Sequence, residues 1–155
     1  MPSLVSEATG HVDMFAAFVT PNDVVVARVD RQRDPVNAAI LDRNAAQLAV
    51  MKSGGRELKV HRIDIPTRQG RSWSSFTNIV MANDLLLLPT FDSDPRSLVE
   101  RAVMTYRRLL PKHHLKTIDM SSMKQLQGAL HCLSLNIPEN APVPAGIMTF
   151  DQALR

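Results

Sequence analysis

Five side chains in this sequence could act together in covalent chemistry. His11 and Asp13 lie in Gly10-His11-Val12-Asp13, and Asn78 ends Ser74-Ser75-Phe76-Thr77-Asn78. His131 stands beside the only cysteine in Gly128-Ala129-Leu130-His131-Cys132. A thiolate attacks electrophilic carbon, an imidazole moves protons near neutral pH, and a carboxylate holds cations. Such chemistry requires that these groups meet, although His11 and Cys132 are 121 residues apart. Each residue also has a plainer reading. A lone cysteine often serves as a small buried hydrophobe. His-x-Asp fits a loop histidine beside a carboxylate, and Asn78 could bond its own backbone at a strand entry. His131 reads as structural, because neighbours on a strand point to opposite faces. The same divergence argues against a zinc site of His11, Asp13, His131 and Cys132, which also lacks the close ligand pairs of structural zinc sites. No metal or cofactor is expected.

The elements that must position these residues form a repeat. Phe15 to Thr20, a turn at Pro21-Asn22-Asp23 and Val24 to Val29 read as a hairpin of β-branched and apolar residues. Asp34-Pro35 then supplies an N-cap and a proline at the first helical position. Ala38, Leu41, Ala45, Leu48 and Ala49 recur at helical spacing through Met51, and Ser53-Gly54-Gly55 stops the pattern. Leu58 to Ile63 is a closing strand. The same order returns with Asn78 to Ala82, Asn83-Asp84, Leu85 to Leu88, Asp94-Pro95, a helical face of Leu98, Val99, Ala102, Tyr106 and Leu109, and the strand Leu115 to Ile118. The Asn-Asp turns are 61 residues apart, the Asp-Pro pairs 60 and the Leu-Lys pairs 57. Several landmarks in one order indicate ββαβ units that bury their faces against each other.

The expected organisation is an α/β fold in a single domain, 1–155, with units at about 11–66 and 74–120 and an incomplete unit at 128–155. The third unit would open with Gly128 to Cys132 and run into a strand over Leu133 to Ile137. If the units pack around an axis, equivalent strand starts converge at one end, and His11, Asp13, Asn78 and Cys132 become neighbours. In an extended segment His11 and Asp13 would share a face. Met14, Met81, Met104, Met120 and Met123 read as core filler. Trp73 and Arg68-Gln69-Gly70-Arg71 read as an exposed loop or lid.

Composition narrows the function classes. At 45% hydrophobic and 21% charged residues the chain is globular in character and does not read as disordered. The net charge of +3 is scattered, apart from Arg107-Arg108 and Lys112-His113-His114, which fall at a helix end where cations complement the dipole. Aromatic residues are only 5% and do not interleave with basic runs, so no nucleic-acid partner is expected. The longest apolar run, Leu85 to Pro89, falls far short of the ~20 residues of a membrane span. The N-terminus has no signal-peptide pattern, and one cysteine makes no internal disulfide. The reading is a soluble, cytoplasmic protein.

Gly10-His11-Val12-Asp13, Thr77-Asn78 before a hydrophobic hairpin, and Gly128-Ala129-Leu130-His131-Cys132 together resemble the agmatine deiminase and bacterial peptidylarginine deiminase family of the pentein superfamily. The resemblance spans residues 9–138. It implies a partial pentein-type α/β propeller and hydrolysis of a guanidinium group to a ureido group with release of ammonia. On that resemblance Cys132 is the nucleophile, His11 the general acid and base, Asp13 a carboxylate that binds guanidinium nitrogens, and Asn78 a residue at the pocket edge. The implied partner is a guanidinium-containing small molecule or an arginyl peptide. The family's Trp-x-Arg-Asp-like motif, source of a second carboxylate, is absent, since Trp73 is followed by Ser74-Ser75-Phe76. Met14 after the Gly-His-Val-Asp run, and the reduced Gln127-Gly128-Ala129, lean towards the peptidylarginine type or a further relative over a true agmatine deiminase. A missing N-terminal half or a second copy in a homo-oligomer is expected to complete the ring. The alternative is a non-catalytic pentein remnant acting as an oligomerising or binding module.

Overall fold

The computed structural model describes residues 1–68, 70, 72–126, 129–138 and 141. Two units of the same topology carry the fold. In the first, β1 (Ala16–Phe18) runs antiparallel to β2 (Asp23–Arg28), and α1 (Pro35–Ala49) leads to β5 (Lys59–Asp64), which is parallel to β2. In the second, β6 (Val80–Ala82) pairs antiparallel with β7 (Leu85–Thr90), and α2 (Arg96–Leu109) leads to the parallel strand β8 (His114–Asp119). Each three-stranded sheet places the long apolar strand in its centre.

The local chemistry explains these elements. Asp34 caps α1 by accepting the Asn37 N–H at 3.2 Å, and Pro35 occupies the first turn. The second Asp-Pro pair sits one step further out. Pro95 is the cap residue of α2, and Asp94 instead accepts the Phe91 N–H at 3.0 Å. Helix α1 ends at Ala49, short of Met51, and the glycines expected to stop it turn a small hairpin, β3 (Lys52–Ser53) and β4 (Arg56–Glu57). Gly54 and Gly55 both adopt positive φ, 56° and 79°, as a two-residue hairpin turn of this hand requires.

Register sharpens the repeat. Lys59 N–H donates to Asn22 O at 2.7 Å, and His114 N–H donates to Asp84 O at 2.6 Å. The closing strands are thus equivalent at Lys59 and His114, not at the Leu-Lys pairs, and the inserted β3–β4 hairpin accounts for most of the uneven spacing.

One core joins both units. Val24, Val25, Val26 and Ala27 are wholly buried, as befits a central strand covered on both faces. Helix α2 packs on its own β8 and also on β5 of the first unit. Tyr106 of α2 is buried and donates its hydroxyl to Phe76 O at 2.6 Å; burial drives that hydroxyl far above its ordinary range, so it stays a donor. In the segment linking the units Ile65, Trp73 and Phe76 are buried and Arg68 pairs with Asp34 at 3.3 Å, so Trp73 belongs to the core, whereas Gly70 is exposed. Met104 lies on the solvent side of α2, outside the core.

No closed ring is present among the described residues. The strand expected at 133–137 is the last residue of a 3-10 turn, Leu133, followed by irregular chain, and Leu133, Leu135 and Ile137 are exposed. Gln69, Arg71, Gln127, Gly128, Glu139, Asn140 and residues 142–155 lie outside the described residues, and with them most of the expected third unit.

Candidate functional site

Three separate segments meet at one end of the two sheets. The first is a 3-10 turn, Val12–Met14, which precedes β1. The second is 74–78, which enters β6. The third is another 3-10 turn, His131–Leu133. The middle segment locks the first in place. Ser75 Oγ donates to Met14 O at 2.8 Å, and Thr77 Oγ1 donates to Asp13 O at 2.9 Å. Both hydroxyl residues are almost wholly buried, so these bonds satisfy hydroxyl groups that are withdrawn from water.

Asn78 locks the third segment. Its side chain is fully buried. Oδ1 accepts the His131 N–H at 2.8 Å, and Nδ2 donates to Cys132 Sγ at 3.3 Å. Asn78 therefore does not bond its own strand entry. It ties the thiol-bearing turn to the start of β6. Cys132 is exposed and free, which sets aside the buried-hydrophobe reading.

Asp13 is the meeting point. Its Oδ2 lies 2.8 Å from His131 Nδ1 and accepts the Cys132 thiol at 3.6 Å. Its Oδ1 is buried, with no hydrogen-bond donor reaching it among the described residues. Ligand atoms of His11, Asp13 and Cys132 all lie within 4.8 Å of one another. The convergence expected from the repeat is thus met for His11, Asp13, Asn78 and Cys132. The route differs from the expected one. His11 and Asp13 are brought together by a 3-10 turn and not by a shared strand face. His131 and Cys132 do not diverge either, because successive side chains in a 3-10 turn are offset by about a third of a turn instead of alternating. His131 consequently touches the site that sequence reasoning set it apart from.

A second contributor missed in the sequence is Glu7. Its Oε1 accepts from Thr9 N at 3.0 Å and Thr9 Oγ1 at 2.7 Å, and its Oε2 accepts from Gly10 N at 2.6 Å. Thr9 Oγ1 in turn accepts the His11 N–H at 3.3 Å. Gly10 has φ +67°, with nothing within 4 Å of an added Cβ, so it serves backbone conformation and not space. The sequence signal was the short spacing of Glu7, Thr9 and Gly10, which suits a carboxylate-organised loop.

A separate groove between the units, lined by Arg28, Arg33, Asp64 and Arg101 among others, contains none of these residues. Its charges pair internally, with Arg28 Nε 2.6 Å and Arg101 Nε 3.8 Å from Asp64. The chemistry points to the Asp13–Cys132 end of the sheets, an open, solvent-facing cluster of nucleophile, imidazole and carboxylate. Such a set can attack an electrophilic carbon, shuttle a proton and bind a planar cation, and it can also ligate a metal ion.

Comparison with known proteins identifies relatives of the chain as a whole. The family model of the Porphyromonas-type peptidyl-arginine deiminases matches residues 4–138. The agmatine deiminase of Ectopseudomonas mendocina (strain ymp) is 26% identical over 162 residues, covering 90% of this chain and 42% of that protein. The agmatine deiminase of Pseudomonas putida (strain F1) is 31% identical over 163 residues, covering 88% of this chain and 42% of that protein. A solved structure from Porphyromonas gingivalis, given as a candidate arginine deiminase, superposes with a TM-score of 0.76 at 23% identity, over 89% of this chain and 41% of its own. The chain spans about two fifths of the length of the curated relatives it matches.

Proposed function

The chain belongs to the Porphyromonas-type peptidyl-arginine deiminase family, and from that premise we propose that it carries the nucleophile half of a guanidine-hydrolysing site. The observation that supports this most is the convergence of Cys132, Asp13 and His11 from opposite ends of the described chain.

In the proposed reaction Asp13 holds the guanidinium. Its buried Oδ1 is an acceptor without a donor, suited to an N–H of a planar cation. Cys132 Sγ attacks the central guanidinium carbon, forming a C–S bond and a tetrahedral adduct. His11 gives a proton to one nitrogen, the C–N bond breaks, and ammonia leaves. Water then adds to the resulting S-alkylthiouronium carbon while His11 accepts its proton. The C–S bond breaks, returning the thiolate, and the proton left on the ureido product passes to the ammonia. The balance is guanidinium plus water to urea derivative plus ammonium, with no redox change. Asn78 holds the thiol turn and directs an N–H at the sulfur, where negative charge resides before attack.

The two units form part of a pentein-type propeller, and the rest of the ring supplies the second carboxylate. That remainder comes from an N-terminal half or from another copy of the chain. The substrate class is agmatine-like small guanidines or arginyl peptides. The test is ammonia and ureido-product release from agmatine and from arginyl peptides, with the N-terminal half of a relative supplied in trans. Turnover that disappears in Cys132→Ala supports the assignment. Turnover that survives Cys132→Ala overturns Cys132 as the nucleophile, and absence of turnover together with an inert thiol favours the non-catalytic remnant.

A further inference from the structure

We propose that Cys132 Sγ, the Asp13 carboxylate and a His11 ring nitrogen form a site for one thiophilic divalent cation of the zinc type, and that this cation competes with the guanidinium. Cation binding stands on the geometry alone; the competition rests on the deiminase reading.

The strand argument against such a site does not survive the structure, since His131 and Cys132 share a 3-10 turn and both reach Asp13. The three donors are sulfur, imidazole nitrogen and carboxylate oxygen, a set suited to zinc or cobalt and poorly suited to magnesium or calcium. Zinc bonds of about 2.0–2.3 Å place neighbouring ligand atoms of a tetrahedron about 3.3–3.7 Å apart. The Cys132 Sγ to Asp13 Oδ2 distance is already 3.6 Å. No separation among the three ligand atoms exceeds 4.8 Å, and His11 is exposed and free to turn inwards. Three protein ligands leave one position for water, the arrangement of open zinc sites.

The surroundings supply what a bound cation needs. His131 Nδ1 contacts Asp13 Oδ2 at 2.8 Å and orients the carboxylate from outside the ligand set. The buried Oδ1, with no donor, offers a second oxygen to the positive charge. Binding replaces the thiol proton with the metal, and the proton passes to solvent. The occupied sulfur and carboxylate are then the two groups that the guanidinium requires. All three ligands lie on this chain, so the site is complete even where the deiminase site is not.

Cobalt(II) titration of the purified chain tests the site directly. One cobalt per chain should produce a thiolate-to-cobalt charge-transfer band that zinc(II) abolishes by displacement. Cys132→Ser should remove the band. Asp13→Asn and His11→Ala should weaken cobalt about tenfold or more, as should the outer variant His131→Ala. His61→Ala, a histidine paired with Asp23 away from the site, should leave the titration unchanged. Circular dichroism of each variant confirms its fold, and zinc protection of Cys132 from chloroacetamide gives a second readout independent of any band. Absence of both band and protection overturns the site, and so does a band that His11→Ala and Asp13→Asn leave intact. Cobalt binding with no ammonia release even when the N-terminal half of a relative is supplied leaves the site standing and overturns the functional reading. Ammonia release insensitive to zinc overturns the competition.

Discussion

Asn78→Ala is the substitution whose consequences the structure specifies most fully. It removes the acceptor of the His131 N–H, at 2.8 Å, and the donor to Cys132 Sγ, at 3.3 Å. Leaving a part-buried N–H without its partner costs about 1–3 kcal/mol. The longer sulfur contact adds the smaller share, and the fully buried side chain leaves a cavity. The expected loss is about 2–3 kcal/mol, divided between the whole fold and local release of the 131–133 turn. Hydrogen exchange reads the local part, because the His131 amide should lose about ten- to hundredfold protection. Asn78→Asp separates the two bonds: it keeps an oxygen for the His131 N–H and replaces the N–H donor with a second acceptor. His131 protection should then persist while Cys132 alkylation slows. If Asn78→Ala leaves both the urea midpoint and the His131 amide unchanged, the clamp between β6 and the thiol turn does not exist.

Tyr106→Phe should cost about 1–3 kcal/mol by urea unfolding, since it strands the Phe76 carbonyl in the core between the units. Leu41→Ala, at a wholly buried position of α1, should cost about 2–5 kcal/mol, whereas Leu135→Ala, 84% exposed, should stay within about 0.5 kcal/mol. Acid should destabilise the chain through three carboxylates held below their ordinary range. Asp23 is lowered by the Thr20 hydroxyl and then by His61, and Asp64 chiefly by Arg28. Burial alone would raise Asp34, but the Asn37 hydrogen bonds and Arg68 outweigh it. Groups lowered in the folded state contribute stability above their unfolded value, near 3.9, and lose it as pH falls through the lower folded values. Unfolding midpoints followed down through that window should decline, and Asp64→Asn should flatten the decline. An unchanged slope in that variant would contradict the Arg28–Asp64 assignment.

The two units were legible because hairpin turns, apolar strands and helix periodicity are local signals. Asp34-Pro35 and the Val24 to Ala27 run determine their own conformations almost unaided. The strand expected at 133–137 misled, since Leu133, Leu135 and Ile137 alternate like a strand yet form none among the described residues. Alternation signals a strand only where a neighbour supplies the hydrogen bonds. Trp73 misled for the opposite reason, its polar neighbours suggesting solvent while tertiary packing buried the segment. The convergence of His11, Asp13, Asn78 and Cys132 was expected from repeat position and family resemblance. The roles of Glu7 and His131 depend on turn geometry that spacing alone did not reveal.

The proposed chemistry requires Asp13 to present a cationic amidine to Cys132. Mass spectrometry of the intact chain, treated in parallel with a haloacetamidine and the neutral haloacetamide, measures this directly. A charge-assisted hydrogen bond of about 1.5–3 kcal/mol predicts labelling at Cys132 that is about ten- to hundredfold faster for the amidine, relative to a free thiol standard. Asp13→Asn should erase that preference while leaving the amide rate nearly unchanged. Equal rates for the two reagents, or a preference that persists in Asp13→Asn, would contradict the assignment of this cluster to guanidine chemistry.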